Sequence, residues 1–144
     1  MSHFRSSGRD HLAIPGPSVI PDRVLRAMHR GSPNIYGDEL SALTSNLLSD
    51  LKSLARCTGE LAIYISNGHG IWEAALCNTL SRGDRILALT CGRFGHNWVS
   101  LAQELGVEVQ VLDFGNESPA DPAQVEAVLR ADTDHRFKAL ITVQ

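Results

Sequence analysis

Residues 61–80 decide how this chain folds. They read Leu61-Ala62-Ile63-Tyr64-Ile65-Ser66-Asn67-Gly68-His69-Gly70-Ile71-Trp72-Glu73-Ala74-Ala75-Leu76-Cys77-Asn78-Thr79-Leu80. The first five form a short, continuous apolar run, which is typical of a strand buried on both faces of a parallel sheet. Small polar residues and two glycines predict a tight loop over 66–70. The Ala- and Leu-rich remainder predicts a helix, so the stretch is a strand, a loop and a helix in succession.

The predicted loop brings backbone N–H groups together at the start of a helix. This end of a helix carries a partial positive charge and attracts an anion, most often a phosphate. Asn67 and His69 can each hydrogen-bond a phosphate oxygen, and Gly68 allows the backbone to approach closely. A second interpretation stays open: an ordinary strand-to-helix turn in which Asn67 caps the helix and His69 is a half-exposed loop residue.

Strands and helices alternate through the rest of the chain. Two helices come first, one with Asp22 as its N-cap and an amphipathic one over 38–56, where leucine recurs every three or four positions. Further strands are predicted over 85–90, 107–111 and 137–143, with helices between them. This alternation is typical of an α/β fold with a mostly parallel sheet and helices on both faces. The apolar residues expected to face inward from the first helix are Val24, Leu25 and Met28.

Composition narrows the class of protein. The chain has 144 residues, of which 43% are hydrophobic and 20% charged, as in soluble globular domains. A net charge of −3 without runs of like charge argues against nucleic acid as a partner. No apolar stretch approaches the roughly 20 residues that cross a bilayer, and the N-terminus has no apolar secretory core. Three cysteines outside any CxxC spacing predict buried thiols in a reduced, cytosol-like compartment and no metal site.

Phe94 is the other candidate binding residue. It lies in a glycine-punctuated loop predicted over 91–97, after the second strand, and so on the same carboxyl-end rim of the sheet as Asn67. A flat ring there could stack on a planar cofactor or cover the sheet end as part of the core. His96 and Trp98 are interpreted as scaffold. No nucleophile–base pair is evident, and no phosphate-loop, dinucleotide, nucleophile-elbow or zinc-protease motif is present.

Four segments of the chain resemble one enzyme family. The resemblance runs from about residue 12 to residue 144, and the opening segment and the Gly68–Leu76 segment are its most specific parts. The chain resembles serine–glyoxylate and alanine–glyoxylate aminotransferases, which are class V, fold-type I enzymes dependent on pyridoxal phosphate. The matching segments are Ile14-Pro15-Gly16-Pro17-Ser18 with residues 21–28, Asn67-Gly68-His69-Gly70 with Glu73-Ala74-Ala75-Leu76, Leu80-Ser81-Arg82-Gly83-Asp84, and Gly92-Arg93-Phe94-Gly95.

The resemblance implies roles for four residues. Asn67, Gly68 and His69 match the segment that holds the phosphate of pyridoxal phosphate, and Phe94 matches the aromatic position that stacks on its pyridine ring. That position is often tryptophan in these enzymes and histidine in the related cysteine desulfurases, so Phe94 favours the aminotransferase branch. The implied reaction transfers an amino group between serine or alanine and glyoxylate in a homodimer. The implied compartment is the cytoplasm, or a peroxisome or mitochondrion if the source is eukaryotic.

The resemblance also implies that this chain is a part of a longer enzyme. The lysine that forms a Schiff base with the cofactor is expected beyond Gln144, as are the aspartate that pairs with the pyridine nitrogen and the arginine that holds the substrate carboxylate. Residues 1–13 are then a flexible arm and residues 14–144 the N-terminal part of the cofactor-binding large domain, inactive alone. Two alternatives remain: a cysteine desulfurase-like class V enzyme, or a non-catalytic α/β module that binds phosphate or pyridoxal phosphate.

Overall fold

The computed structural model describes residues 12–14 and 16–143. The flexible arm predicted over 1–13 therefore lies mostly outside the described residues. The chain divides into two compact units, one ending at Leu61 and the other beginning at Ala62.

The first unit contains two helices, α1 (Asp22–Met28) and α2 (Asp38–Leu54). The N-cap of α1 is Pro21, which has extended dihedral angles, and Asp22 is already helical. The prediction of Asp22 as N-cap is wrong by one residue, because the fixed φ of proline suits the position just before the helix. The Asp22 carboxylate instead lies in the first turn, where negative charge stabilises a helix. α2 ends two residues before the predicted Arg56, which has a left-handed φ of 50°.

The apolar stripes of these two helices are exposed. Neither helix has a buried residue, and Met28 and Leu54 are 65% and 82% exposed. The prediction that Val24, Leu25 and Met28 face a core is therefore wrong for the described structure. The leucine periodicity specified the helix correctly, but a helix buries its stripe only where another surface covers it.

The second unit is an α/β sandwich. Its elements are α3 (Gly68–Thr79), β1 (Arg85–Thr90), α4 (Arg93–Glu104), β2 (Glu108–Asp113), α5 (Pro122–Ala131) and β3 (Phe137–Thr142). The strands form a sheet in the order β2-β1-β3, and β1 pairs in parallel with both neighbours. This confirms the parallel sheet. β1 is the central strand and its last five residues are all buried, as its unbroken apolar run predicts.

Helices cover both faces of the sheet. On one face Ile86 and Ala88 pack with α3 and α4 in the core, to which these two helices contribute the buried residues Leu76, Val99 and Ala102. On the other face Leu89 lines a groove with Val125 and Leu129 of α5. Alternate residues of β1 thus point to opposite helical layers, as the two-residue period of a strand requires.

Two predicted elements differ from the structure. Residues 61–65 are not a strand, and the side chain of Ile65 is fully exposed. None of the described strands pairs with this segment, and an apolar run becomes a strand only when its backbone groups find a partner. The loop predicted over 91–97 is only two residues long, because α4 begins at Arg93. Gly92 makes this turn possible with a φ of +134°, a region that glycine enters without steric cost.

The first turn of α4 lies directly against the end of β1. A Cβ atom placed on Gly95 would lie 3.1 Å from Thr90 Cα and 3.2 Å from its Cβ and Cγ2. Both residues are buried, and Thr90 Cα belongs to the central strand, so neither group can move away freely. Glycine at position 95 therefore sets how closely helix and strand approach.

We expect the substitution Gly95→Ala to destabilise the fold by about 1–3 kcal/mol, the usual cost of overpacking a tight contact. Urea unfolding monitored by circular dichroism measures the change. Gly68→Ala is the matched control, because a Cβ on Gly68, also in the first turn of a helix, meets nothing within 4 Å. Equal midpoints for the Gly95→Ala protein and the wild type would contradict the close approach.

Candidate functional site at the carboxyl edge of the sheet

The sheet topology places a crevice at the end of β1. The chain leaves β1 through α4 on one face to reach β2, and then crosses through α5 on the other face to reach β3 on the opposite side of β1. In open parallel sheets, ligands bind outside the carboxyl ends of the strands at such a reversal of strand order. The residues that follow β1, beginning with Cys91, therefore occupy the position where a ligand is expected.

The start of α3 has the geometry of a capped helix. Asn67 is the N-cap, and its Oδ1 accepts a hydrogen bond of 3.1 Å from the backbone N–H of His69. Its main-chain oxygen accepts from the N–H of Gly70, also at 3.1 Å. The side-chain NH₂ group of Asn67 is left as a donor, so capping does not exhaust its hydrogen-bonding capacity. Gly70 is required here, because a Cβ would lie 2.5 Å from Ser66 Oγ.

An aromatic cluster joins the starts of α3 and α4. The imidazole of His69 lies 4.6 Å from the Trp72 ring, edge to face, and 6.0 Å from the Phe94 ring. Trp72 in turn stacks on Trp98 at 5.3 Å with an interplanar angle of 17°. These centroid distances fall in the range of favourable ring pairs. The structure thus brings His69 and Phe94 together, and it places Trp72 and Trp98 behind them as packing residues.

Phe94 is exposed enough to contact a ligand. Its side chain is 43% exposed, although the first turn of α4, to which it belongs, packs on the buried end of β1 through Gly95. The ring is therefore accessible to a ligand, but exposure alone does not separate a binding role from a packing role, since many apolar side chains of the described residues are exposed. The Arg93 guanidinium lies 5.4 Å from the ring centroid, at the distance of a cation–π contact.

Asp113 organises a polar group that the sequence did not indicate. Its Oδ1 accepts hydrogen bonds from the Thr90 hydroxyl at 3.0 Å and from the backbone N–H of Gly115 at 3.1 Å. Nε2 of His96 lies 3.5 Å from the same oxygen. The Gly115 N–H bond, the Thr90 hydroxyl and the nearby His96 together hold the pKa of Asp113 below its ordinary value.

Register explains why this group forms. Thr90 and Asp113 are the last residues of their strands and are directly paired in the sheet. The strand predicted over 107–111 ends two residues before Asp113, so the prediction did not include this pairing. A polar residue at the end of each of two neighbouring parallel strands was the signal available in the sequence.

The sequence has two lysines, Lys52 and Lys138. Lys52 donates to Glu60 within the first unit at 2.9 Å, and Lys138 is the second residue of β3, near the amino edge of the sheet. Among the residues that the structure describes, no cluster of three or more His, Cys, Asp or Glu side chains could hold a metal ion. Within the same part of the chain, no helix has the length and apolar character needed to cross a membrane.

Relatives of known activity match nearly the whole chain. A serine–glyoxylate aminotransferase of Methylorubrum extorquens is 42% identical over 144 residues, which cover 99% of this chain and 36% of that enzyme. A serine–glyoxylate aminotransferase of Arabidopsis thaliana is 35% identical with the same coverage. The chain is homologous to the glyoxylate aminotransferases. This confirms the resemblance that the segments around Asn67 and Phe94 indicated, although no family model matches the chain.

Solved structures of glyoxylate aminotransferases share this fold. The ureidoglycine–glyoxylate aminotransferase of Bacillus subtilis superimposes with a TM-score of 0.74 at 25% identity, over 89% of this chain and 33% of that one. The described residues are thus a partial α/β domain of the kind found in these aminotransferases. The chain spans about a third of the length of the curated relatives it matches.

We expect Asp113→Asn to lower the free energy of unfolding near neutral pH and to have no effect at strongly acidic pH. A carboxyl whose pKa is lower in the folded state contributes stability above its unfolded pKa of about 3.9, and this contribution is lost as the pH falls through the folded value. Asparagine keeps an acceptor oxygen but has no charge. Urea unfolding of both proteins across a pH series measures the difference, and a difference independent of pH would contradict it.

Proposed function

We propose that this chain is the cofactor-binding part of a pyridoxal phosphate-dependent aminotransferase that transfers an amino group between serine or alanine and glyoxylate. The observation that carries the proposal is the match of 99% of the chain to a serine–glyoxylate aminotransferase at 42% identity. The proposal is supported by the proximity of two candidate binding groups: His69, in the first turn of α3, lies 6.0 Å from the Phe94 ring. The complete enzyme is a homodimer in this proposal and works in a reduced, cytoplasmic compartment, consistent with the free thiols of Cys57, Cys77 and Cys91. The prediction that these thiols are buried is wrong, because Cys77 is exposed and the other two are half-buried.

The residues present fit the phosphate of pyridoxal phosphate. The start of α3 offers a positive helix end, to which Asn67 adds its side-chain NH₂ group and His69 its imidazole. The Trp72 ring packs against His69 at 4.6 Å and limits the orientations of the imidazole. Gly68 leaves open space where a side chain would project, so the backbone can approach an anion closely.

Phe94 fits the ring of the cofactor. In this proposal its exposed face stacks on the pyridine ring and fixes the plane in which that ring is held. When bound, pyridoxal phosphate supplies an electron sink for the bonds around the substrate α-carbon. The contribution of these 144 residues is to bind and orient the cofactor, and the family resemblance implies that the lysine which attaches to it lies outside them.

Borohydride reduction followed by intact-mass analysis of the protein from its native source tests this function. We expect a chain longer than 144 residues with a reduced pyridoxyl group on a lysine beyond Gln144. Activity with serine or alanine as donor and glyoxylate as acceptor then identifies the amino donor. A chain that binds pyridoxal phosphate without any adduct would instead indicate a non-catalytic binding module, and release of sulfur from cysteine would indicate a desulfurase.

Replacing Gly68 tests the phosphate contact. We expect Gly68→Leu to raise the dissociation constant of pyridoxal phosphate at least tenfold, about 1.4 kcal/mol, because the side chain occupies the space needed for close approach. Absorbance or fluorescence titration measures the constant. Gly59→Leu is the control, because a side chain there also meets nothing within 4 Å and Gly59 starts no helix. Equal affinity in the Gly68→Leu protein and the wild type would exclude this phosphate site.

A further inference from the structure

The first turn of α4 has no cap of its own. Its N-cap is Gly92, which has no side chain to accept a hydrogen bond from the first N–H groups of the helix. The position of this turn therefore depends on its contacts with the sheet. Two such contacts are present, both made by residues that follow Phe94 directly: Gly95 packs on Thr90, and His96 lies beside Asp113.

Both contacts lead to the same carboxylate. Asp113 accepts the hydroxyl hydrogen bond of Thr90, the residue on which Gly95 packs, and its Oδ1 also lies 3.5 Å from His96. We propose that Asp113 is a positioning residue that holds the Phe94 ring in place through Thr90 and His96. This proposal rests on the proposed function in one respect: the Phe94 ring that Asp113 positions is the ring that stacks on the cofactor.

The chemistry of the group supports this role. The Gly115 N–H and then the Thr90 hydroxyl lower the pKa of Asp113, so the carboxylate, which is ionised at neutral pH in an ordinary aspartate, stays ionised to a lower pH than usual. An ionised carboxylate only accepts hydrogen bonds, and Oδ1 of Asp113 accepts both the Thr90 hydroxyl and the Gly115 N–H. The hydrogen bond from Gly115 also fixes the chain after β2, so the carboxylate is itself held in place. A side chain that orients a binding group must be supported in this way.

Thr90 makes the arrangement rigid. Its side chain is 1% exposed and is the buried polar side chain among the described residues, so its hydroxyl must find a partner inside the protein. Its backbone oxygen also accepts a hydrogen bond of 2.8 Å from the N–H of Phe114, the residue after Asp113. The ends of β1 and β2 are thus joined through both the side chain and the main chain of one residue.

The first experiment measures the position of the Phe94 ring directly and requires no cofactor. NMR spectra give the ring-proton shifts of Phe94, which depend on the neighbouring Trp72 and His69 rings and are assigned by their loss in Phe94→Leu. We expect these resonances to shift in Asp113→Ala. The isosteric variant Asp113→Asn keeps the neutral hydrogen bonds and guards against misfolding, and we expect a smaller shift in the same direction.

The matched control is Asp132→Ala. Asp132 also accepts two backbone hydrogen bonds, from Arg136 at 3.0 Å and Phe137 at 2.9 Å, and these also lower its pKa. It lies before β3, at the opposite edge of the sheet from Phe94. We expect the Phe94 resonances to be unchanged in this variant. Unchanged Phe94 resonances in both Asp113 variants, or equal shifts in Asp132→Ala, would overturn the proposal.

The second experiment is a double-mutant cycle with pyridoxal phosphate as the probe. We expect Asp113→Ala to raise the dissociation constant about tenfold when Phe94 is present, and to have no further effect in the Phe94→Leu background. The same loss in both backgrounds would indicate a general structural role and overturn the proposal. A wild-type protein that does not bind pyridoxal phosphate would refute the proposed function, while the ring-proton shifts would still decide the role of Asp113.

Discussion

The end of the central strand β1 is the constraint on which the rest of the second unit depends. Thr90 is buried there with a polar side chain, and a hydroxyl in such a place is stable only when it is hydrogen-bonded. Asp113 provides the partner, which fixes the end of β2 relative to β1. Thr90 is also in contact with Gly95 of α4. Because Gly95 has no side chain, the first turn of α4 can pack directly on the end of β1. The position of Phe94 follows from these contacts.

The parts of the fold that could be predicted are those whose partners lie within the described chain. The unbroken apolar run of β1 specified a central strand, since β2 and β3 supply hydrogen bonds on both of its sides. For α5, which was predicted as a helix between two strands, the Asp121 side chain accepts from the N–H of Ala123 and caps the first turn. Local pattern and long-range pairing agree at these elements, which is why the prediction held.

The wrong predictions concern segments that have no partner within the described residues. Residues 61–65 have the composition of a strand but no partner among the described strands, so the pattern alone could not make them one. The same holds for α2, where the leucine period gave the helix correctly but its apolar stripe remains exposed. The relatives are about three times longer than this chain, and a local pattern carries no information about which surface covers it.

The candidate site was predictable to the extent that topology fixes it. Phe94 comes after β1, so its place at this edge followed from element order. Residues 61–65 do not form the predicted strand before α3, and His69 lies near Phe94 because α3 packs against α4. The Asp113 group did not follow, because it depends on a register that pairs Thr90 with Asp113 and not with a residue two positions away. A strand that is predicted to end two residues too early still has the correct alternation of side chains between the two faces of the sheet. It omits the pair formed by its last residue, here Asp113.

Three glycines at helix starts have different physical reasons, and the difference bears on function. Gly70 and Gly95 are required by the chain itself, because a side chain at either position would collide with Ser66 or Thr90. Gly68 has no such reason, since a Cβ there meets nothing within 4 Å. Glycine in a helix costs up to about 1 kcal/mol relative to alanine. No packing contact among the described residues of this unit requires glycine at position 68. An anion that the backbone approaches closely would require it, because a side chain would occupy the same space.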